Sequence, residues 1–385
     1  MRKRTVIAFA ILAAALSAVA GAFARTDRAA APVASPAACM AKAKIGFEGP
    51  LTGPAGFLGQ EQVSWSQFAV LNFNKTYHVK IRLDQQDTQL DPAVALTVAT
   101  KHANNGAVLA VIGPSTSGAV EATGKLFAGK KLAAISPSAT RIDLTSGKFP
   151  TFFRVVPNDG VQGPTDVSFM IKNLKVKHVY VIDGQEPYSI GLADTVVALL
   201  KAKGVKVDRD STDPSKETDF SPIVSKVAAD VNVVFTPWQE ATAAQTVSQQ
   251  LLQQGKKAIV FGTDGTYDPG HFRPLNGYVS TFAPDIHGLA SSAALVKAYA
   301  KWSHKSFGTF GPPSYMATWI AAQAIQKACK DGKATRAEVT AKVATTNQKT
   351  IYATVIKFTR KHDVVNPKFF LFKITNGNYQ YLPNV

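Results

Sequence analysis

Val108-Leu109-Ala110-Val111-Ile112-Gly113-Pro114-Ser115-Thr116-Ser117-Gly118 is the stretch whose pattern decides the fold. Its first five residues are all apolar and three are β-branched, the signature of a strand buried on both faces. Gly113-Pro114 stops that strand, and the hydroxyl residues after it lead into a helical pattern. Comparable apolar runs occur at Lys44–Phe47, Val79–Leu83, Leu132–Ile135, His178–Ile182, Val231–Phe235 and Ala258–Phe261. Helical patterns separate them. One has Asp91 as its cap and Pro92 in its first position, and ends at Asn105-Gly106; two others, Leu192–Lys203 and Thr242–Gln254, close on Gly204 and Gly255. Strand–helix alternation of this kind predicts an α/β protein with mainly parallel sheets wrapped by helices. About seven parallel strands exceed what one small sheet needs, which points to two α/β lobes. No repeat of 20–50 residues marks a solenoid or propeller.

Composition agrees with a globular protein. Of 385 residues 46% are hydrophobic, enough for sizeable cores, and 18% are charged, which excludes a disordered polyelectrolyte. The net charge is +17, yet Lys and Arg are scattered with no long basic run, so the basicity is surface chemistry and no nucleic-acid partner is expected. Arg2-Lys3-Arg4, the apolar run Val6–Phe23 and Ala22-Phe23-Ala24 together read as a signal peptide over residues 1–24, removed after Ala24. The apolar run is also long enough for an uncleaved anchor. Residues 25–42, rich in Ala and Pro, read as a flexible leader, and a periplasmic or extracellular location follows. Cys39 and Cys329 are the two cysteines. A disulfide, two free thiols, or a lipid on Cys39 are all open to them, and a structural zinc site is not.

The loops beyond the strand ends carry the unusual residues. In open parallel sheets ligands bind there, because helix N-termini and free backbone amides gather at that edge. In the first half these loops hold Thr116, Ser117, Ser138 and Thr140; in the second half they hold Tyr188, Trp238, Gln239 and Asp264. Hydroxyls and amides at a helix start can hold a carboxylate, Asp264 can hold an ammonium, and the aromatics can cover an apolar group or the cation. Together they suit a small zwitterion bound between two lobes.

Ile45-Gly46-Phe47-Glu48-Gly49-Pro50-Leu51-Thr52-Gly53, Val111–Gly118, Ile135-Ser136-Pro137-Ser138-Ala139-Thr140, Phe153-Arg154-Val155-Val156-Pro157 and Phe261-Gly262-Thr263-Asp264-Gly265 carry a family resemblance in their order and spacing. The chain resembles the periplasmic solute-binding proteins of branched-chain amino-acid ABC transporters, the leucine/isoleucine/valine-binding type, from about Lys44 to about Phe372. The resemblance implies two Rossmann-like lobes joined by a three-strand hinge, the type I periplasmic binding protein fold. Lobe 1 would take residues 43–156 and 284–355, and lobe 2 residues 157–283 and 356–385. The crossings would lie near Val155–Asn158, Thr281–Pro284 and Val355–Thr359. It implies that Thr116, Ser138 and Thr140, with Ser117 and Ala139 beside them, meet the ligand's carboxylate. Asp264 and the Ser138 carbonyl would meet its ammonium, Tyr188 would be the second-lobe aromatic, and Trp238 and Gln239 are further candidates. Leu58, beside Phe57, stands where amino-acid-binding members often carry Tyr, so that pocket wall is expected to be more apolar.

Enzyme signatures do not appear: the chain has no Gly-x-Ser-x-Gly elbow, His-Glu-x-x-His, P-loop or Gly-x-Gly-x-x-Gly. The seven His are dispersed and expected at the surface, and Asp84 and Asp87 are expected to be turn caps. The expectation is a monomeric binding protein, with no enzyme activity and no cofactor or metal. It captures an aliphatic amino acid or a related carboxylate or amide and delivers it to the membrane permease of an ABC importer. A sensor of the same fold and an exported α/β hydrolase are the alternatives.

Overall fold

The computed structural model describes residues 35–383. The expected signal peptide and residues 25–34 of the expected leader lie outside the described residues. The first sheet is built from β1 (Lys44–Gly49), β2 (Arg82–Asp87), β3 (Val108–Ile112), β4 (Ala133–Ser136) and β5 (Phe152–Arg154). Its order is β2-β1-β3-β4-β5 and every pairing is parallel. Four helices precede or link these strands: α1 (Pro36–Lys42), α2 (Gly56–Tyr77), α3 (Pro92–Asn104) and α4 (Ser117–Gly129). As its sequence indicates, α3 is capped by Asp91, which accepts from the backbone N–H groups of Ala93 and Val94.

The second sheet takes β6 (His178–Asp183), β7 (Lys206–Ser211), β8 (Val233–Thr236), β9 (Ile259–Gly262) and β10 (Asn276–Thr281), connected through α5 (Asp159–Lys172), α6 (Pro187–Ala202), α7 (Ser221–Ser225) and α8 (Ala241–Gln253). The chain then returns to the first lobe for α9 (Ala293–Ser303), α10 (Gly311–Ala328), α11 (Arg336–Ala344) and the hairpin of β11 (Asn347–Lys349) and β12 (Val355–Lys357). It ends on β13 (Phe370–Thr375) and β14 (Asn378–Leu382), added antiparallel to the second sheet. Two α/β lobes joined by three passages of the chain are therefore present, as expected. The first-lobe core sets Ile45, Phe47, Ile112 and Ile135 of the sheet against Met316, Ala317 and Ile320 of α10.

Three expectations need correction. Residues 36–42 are not a loose leader: Ser35 caps α1, Pro36 occupies its first turn, Met40 is buried, and Cys39 is bonded to Cys329. The third passage comes later than residue 355, because Ile356, Phe358 and Val364 pack in the first-lobe core, so the chain leaves that lobe only after Val364. The second strand begins at Arg82 rather than Val79, and β7 has no apolar run to announce it. Both are edge strands, β2 of the first sheet and β7 of the second. Edges are half solvated and carry polar residues, so an apolar-run criterion misses them.

The disulfide joins residues 290 apart. Closing so long a loop restricts the unfolded chain and adds about 5–6 kcal/mol by the chain-entropy argument. Removal of both sulfurs (Cys39→Ala with Cys329→Ala), or reduction, is expected to lower the urea midpoint and to raise the m-value, because the unfolded chain becomes less compact.

Candidate functional site

In the first sheet the strand order reverses between β1 and β3, and in the second between β6 and β8. Loops leaving the carboxyl ends of such strands diverge and open a crevice. The loops after β1 and β3, with the first turns of the helices they lead into, supply Leu58 and Ser115–Ser117; those after β6 and β8 likewise supply Tyr188 and Gln239. Together with Ser138, Asp264, Gly265 and Phe310 these residues line one cavity. It measures about 10 Å³, room for about one water. In this form the cavity is too small for an amino acid, so a ligand enters it only after the lobes part further, and a cleft of about 390 Å³ between the same lobes adjoins it at Thr116 and Gln239.

On the first-lobe side, Thr116 is the N-cap of α4 and its Oγ1 accepts from Ala119 N at 3.4 Å. A capping hydroxyl still has its own proton to donate. Beside the unpaired amides of the first helical turn, it makes a place for an anion. Ser117 Oγ accepts from Arg141 N (3.3 Å). Ser138 is committed within its lobe, donating to the Ser115 carbonyl (2.5 Å) and accepting from Gln62 Nε2 (2.8 Å). Thr140 is buried, its hydroxyl beside the Asp159 carboxyl.

On the second-lobe side, Glu186 caps α6 by accepting from Tyr188 N (2.8 Å) and Ser189 N (2.7 Å), which fixes Tyr188 in the first turn. Tyr188 Oη lies 2.8 Å from Asp264 Oδ1 and 2.7 Å from Thr263 Oγ1. Gln162 Nε2 donates to the same Asp264 oxygen at 2.6 Å and to Ser280 Oγ at 3.0 Å. Burial pushes the Asp264 carboxyl up to about 6, against the pull of the Tyr188 and Gln162 donors. Among the described residues Asp264 is the one charged side chain lining the cavity. Gly265 is needed beside it, since a Cβ there would collide with the Trp238 carbonyl.

Leu58, Thr116, Ser117, Ser138, Tyr188, Gln239 and Asp264 are thus brought together. Other expected residues are not. Trp238 is fully buried in the second-lobe core, where its Nε1 donates to the Ile182 carbonyl at 2.8 Å, so it does not face the cavity. Phe57 packs between cores, edge-on to Phe310 at 5.9 Å, and Ala139 and Thr140 lie buried behind the wall. The expectation of surface histidines fails at His102, which is buried with Nδ1 2.7 Å from Glu48 Oε1, and at His178, which is buried 2.8 Å from Asp208 Oδ2. Asp87 does organise a turn, accepting from Leu51 N, Gln89 N and the Thr52 hydroxyl. Asp84 instead pairs with Lys44 at 3.0 Å.

Sequence reasoning missed Phe310, whose loop is held by Glu61 through Gly308 N and Gly311 N. It also missed Asp159, Gln162 and Asp166. These three sit at i, i+3 and i+7 on α5, polar residues on the buried helical stripe, which is the signal that would have exposed them. Among the described residues neither oxygen of Asp159 makes a close hydrogen bond, and the neighbouring Thr140 hydroxyl pulls its carboxyl down only in part. Burial, followed by the nearby charge of Asp264, raises its carboxyl from 3.8 to about 7. The folded state therefore holds a proton that the unfolded state releases near pH 4, and this contribution to stability is lost as pH rises through about 7. Asp159→Asn is expected to raise the melting temperature most at pH 8, by less at pH 5, and to leave it nearly unchanged near pH 3, as read by calorimetry across that range.

The profile of the periplasmic binding protein family matches residues 42–378. A Leu/Ile/Val-binding protein homolog of Brucella abortus is 27% identical over 368 residues, covering 92% of this chain and 96% of that protein. Among solved structures, a leucine-binding protein of Thermotoga maritima superposes with a TM-score of 0.78 at 21% identity, covering 88% of this chain and 97% of that one. A branched-chain amino acid transporter substrate-binding protein of Streptococcus pneumoniae, in complex with isoleucine, gives 0.77 at 23% identity, with 88% and 99% covered.

Proposed function

We infer, because the chain belongs to the periplasmic binding protein family, that it captures an aliphatic amino acid in the cleft between its lobes and delivers it to the permease of an ABC importer. The carrying observation is Asp264, buried and aimed into the cavity opposite the N-terminus of α4. One anionic wall facing one anion-receptive wall is the complement of an α-amino acid. Thr116 and the α4 amides take the carboxylate, Asp264 takes the ammonium, and Leu58 and Phe310 form the apolar wall for the side chain. The relatives' names, Leu/Ile/Val-binding proteins, and the isoleucine in the pneumococcal structure support this ligand class. Ligand joining both walls favours the closed form, which the permease then recognises. The basic, apolar N-terminal segment supports export to the periplasm, and the chain acts as a carrier with no catalytic step of its own.

A thermal-shift panel of the twenty amino acids, their amides and aromatic carboxylates on ligand-stripped protein tests the reading. A ligand at 100 times its dissociation constant adds about 2.7 kcal/mol, a rise of a few degrees. Leucine, isoleucine or valine should give that rise. Response to aromatic acids alone, or to nothing, overturns it.

A further inference from the structure

Arg141 follows Thr140 directly, and its side chain reaches from the first lobe to the second. Its Nη1 donates to the Pro187 carbonyl in the first turn of α6 at 3.2 Å. On its own lobe its Nε donates to Asp143 Oδ1 at 2.8 Å and lies 3.8 Å from Glu121 Oε1. The stem runs along Gly191, where a Cβ would lie 3.5 Å from Arg141 Cγ. Pro187 and Gly191 are four residues apart, so the arginine lies along one face of α6. Its backbone is held on both sides: Ser117 Oγ accepts from Arg141 N, and Arg154 Nη1 donates to the Arg141 carbonyl at 2.6 Å. Arg141 does not line the ligand cavity.

We propose that Arg141 is a positioning residue, a latch between the lobes that sets how long a bound ligand is retained without touching it. When the lobes part, the bond to Pro187 is lost while the bonds to Asp143 and Glu121, all within one lobe, remain. The interaction belongs to the closed form alone and raises its population. The donor is charged, but the side chain is 30% exposed, which weakens the bond. Loss of the latch should shift the closed-to-open ratio roughly 3- to 10-fold. Ligand meets the open form, in which the bond is absent, so association is not slowed and rises only as the open fraction rises.

The release assay rests on the amino-acid-binding reading, and a second measurement does not. Both native cysteines are in the disulfide, so spin labels can be placed at Lys125→Cys on α4 and Lys201→Cys on α6, both exposed positions. In stopped-flow release of leucine, Arg141→Ala is expected to let go roughly 3- to 10-fold faster with association no slower than wild type, and Arg141→Lys to fall between. In ligand-free protein the label distances of Arg141→Ala should shift toward longer values. Gly191→Val, which crowds the stem but keeps the charge, should do the same. If no amino acid binds the wild type, the function reading fails and the distances alone decide the latch. Unchanged distances in both variants overturn it.

Discussion

Asp264→Ala is expected to raise the dissociation constant for an aliphatic amino acid by at least about 100-fold. The carboxylate is 3% exposed, and among the described residues no other charged side chain lines the cavity. An ammonium drawn into the closed cleft without it would be buried with no opposite charge, and breaking a buried pair from one side costs roughly 3–5 kcal/mol. Asp264→Asn should fail nearly as badly, since an amide brings no charge and a pair of donors where the ligand also donates. The ligand-free variants should be at least as stable as wild type, because burial already holds this carboxyl up at about 6 and neutralising it removes that penalty. Titration calorimetry with leucine or isoleucine, beside thermal melts without ligand, reads both effects. Binding within threefold of wild type would remove Asp264 from the ammonium's contacts.

The second large effect concerns the hinge. Arg154, at the end of β5, is fully buried. Its Nε donates to Asp363 Oδ1 at 2.6 Å, and its two terminal nitrogens donate to the carbonyls of Ala139, Arg141 and Ile142 and to the Thr145 hydroxyl. One guanidinium therefore ties the loop that carries Ser138 and Thr140 to the segment that follows β12, just before the third passage. Arg154→Ala strands those acceptors and Asp363, and should lower the unfolding free energy by about 3–5 kcal/mol. Arg154→Lys should rescue little, since one ammonium cannot reproduce a planar fork of five donors. Asp363→Ala should cost less, because its side chain is 21% exposed and water can replace it. Urea unfolding followed by tryptophan fluorescence ranks the three, and an Arg154→Ala loss below 1 kcal/mol would contradict the assignment.

The central strands were legible because burial on both faces leaves an uninterrupted apolar run, as in β3 and β6. The polar edges β2 and β7 were not, since solvent on one side removes that signal. The site divided in the same way. Thr116, Tyr188 and Asp264 could be found because each follows a strand in the local sequence. Trp238 follows one too, yet its ring turns inward to donate to the Ile182 carbonyl. Nothing local in the sequence distinguishes an aromatic that faces a cleft from one that completes a core.

What the sequence determined by itself was the alternation of strand and helix, the export-like N-terminal segment, and the loops that would meet at the sheet edges. These depend on residues near one another in the chain, where propensity, capping and periodicity act. Only the tertiary structure decided the rest: the Cys39–Cys329 bond, the Arg154–Asp363 tie, Phe310 in the cavity wall, and the Arg141 bridge to α6. Each joins residues that are remote in sequence, and what brings them together is the burial of apolar faces, a force without direction or address in the local pattern.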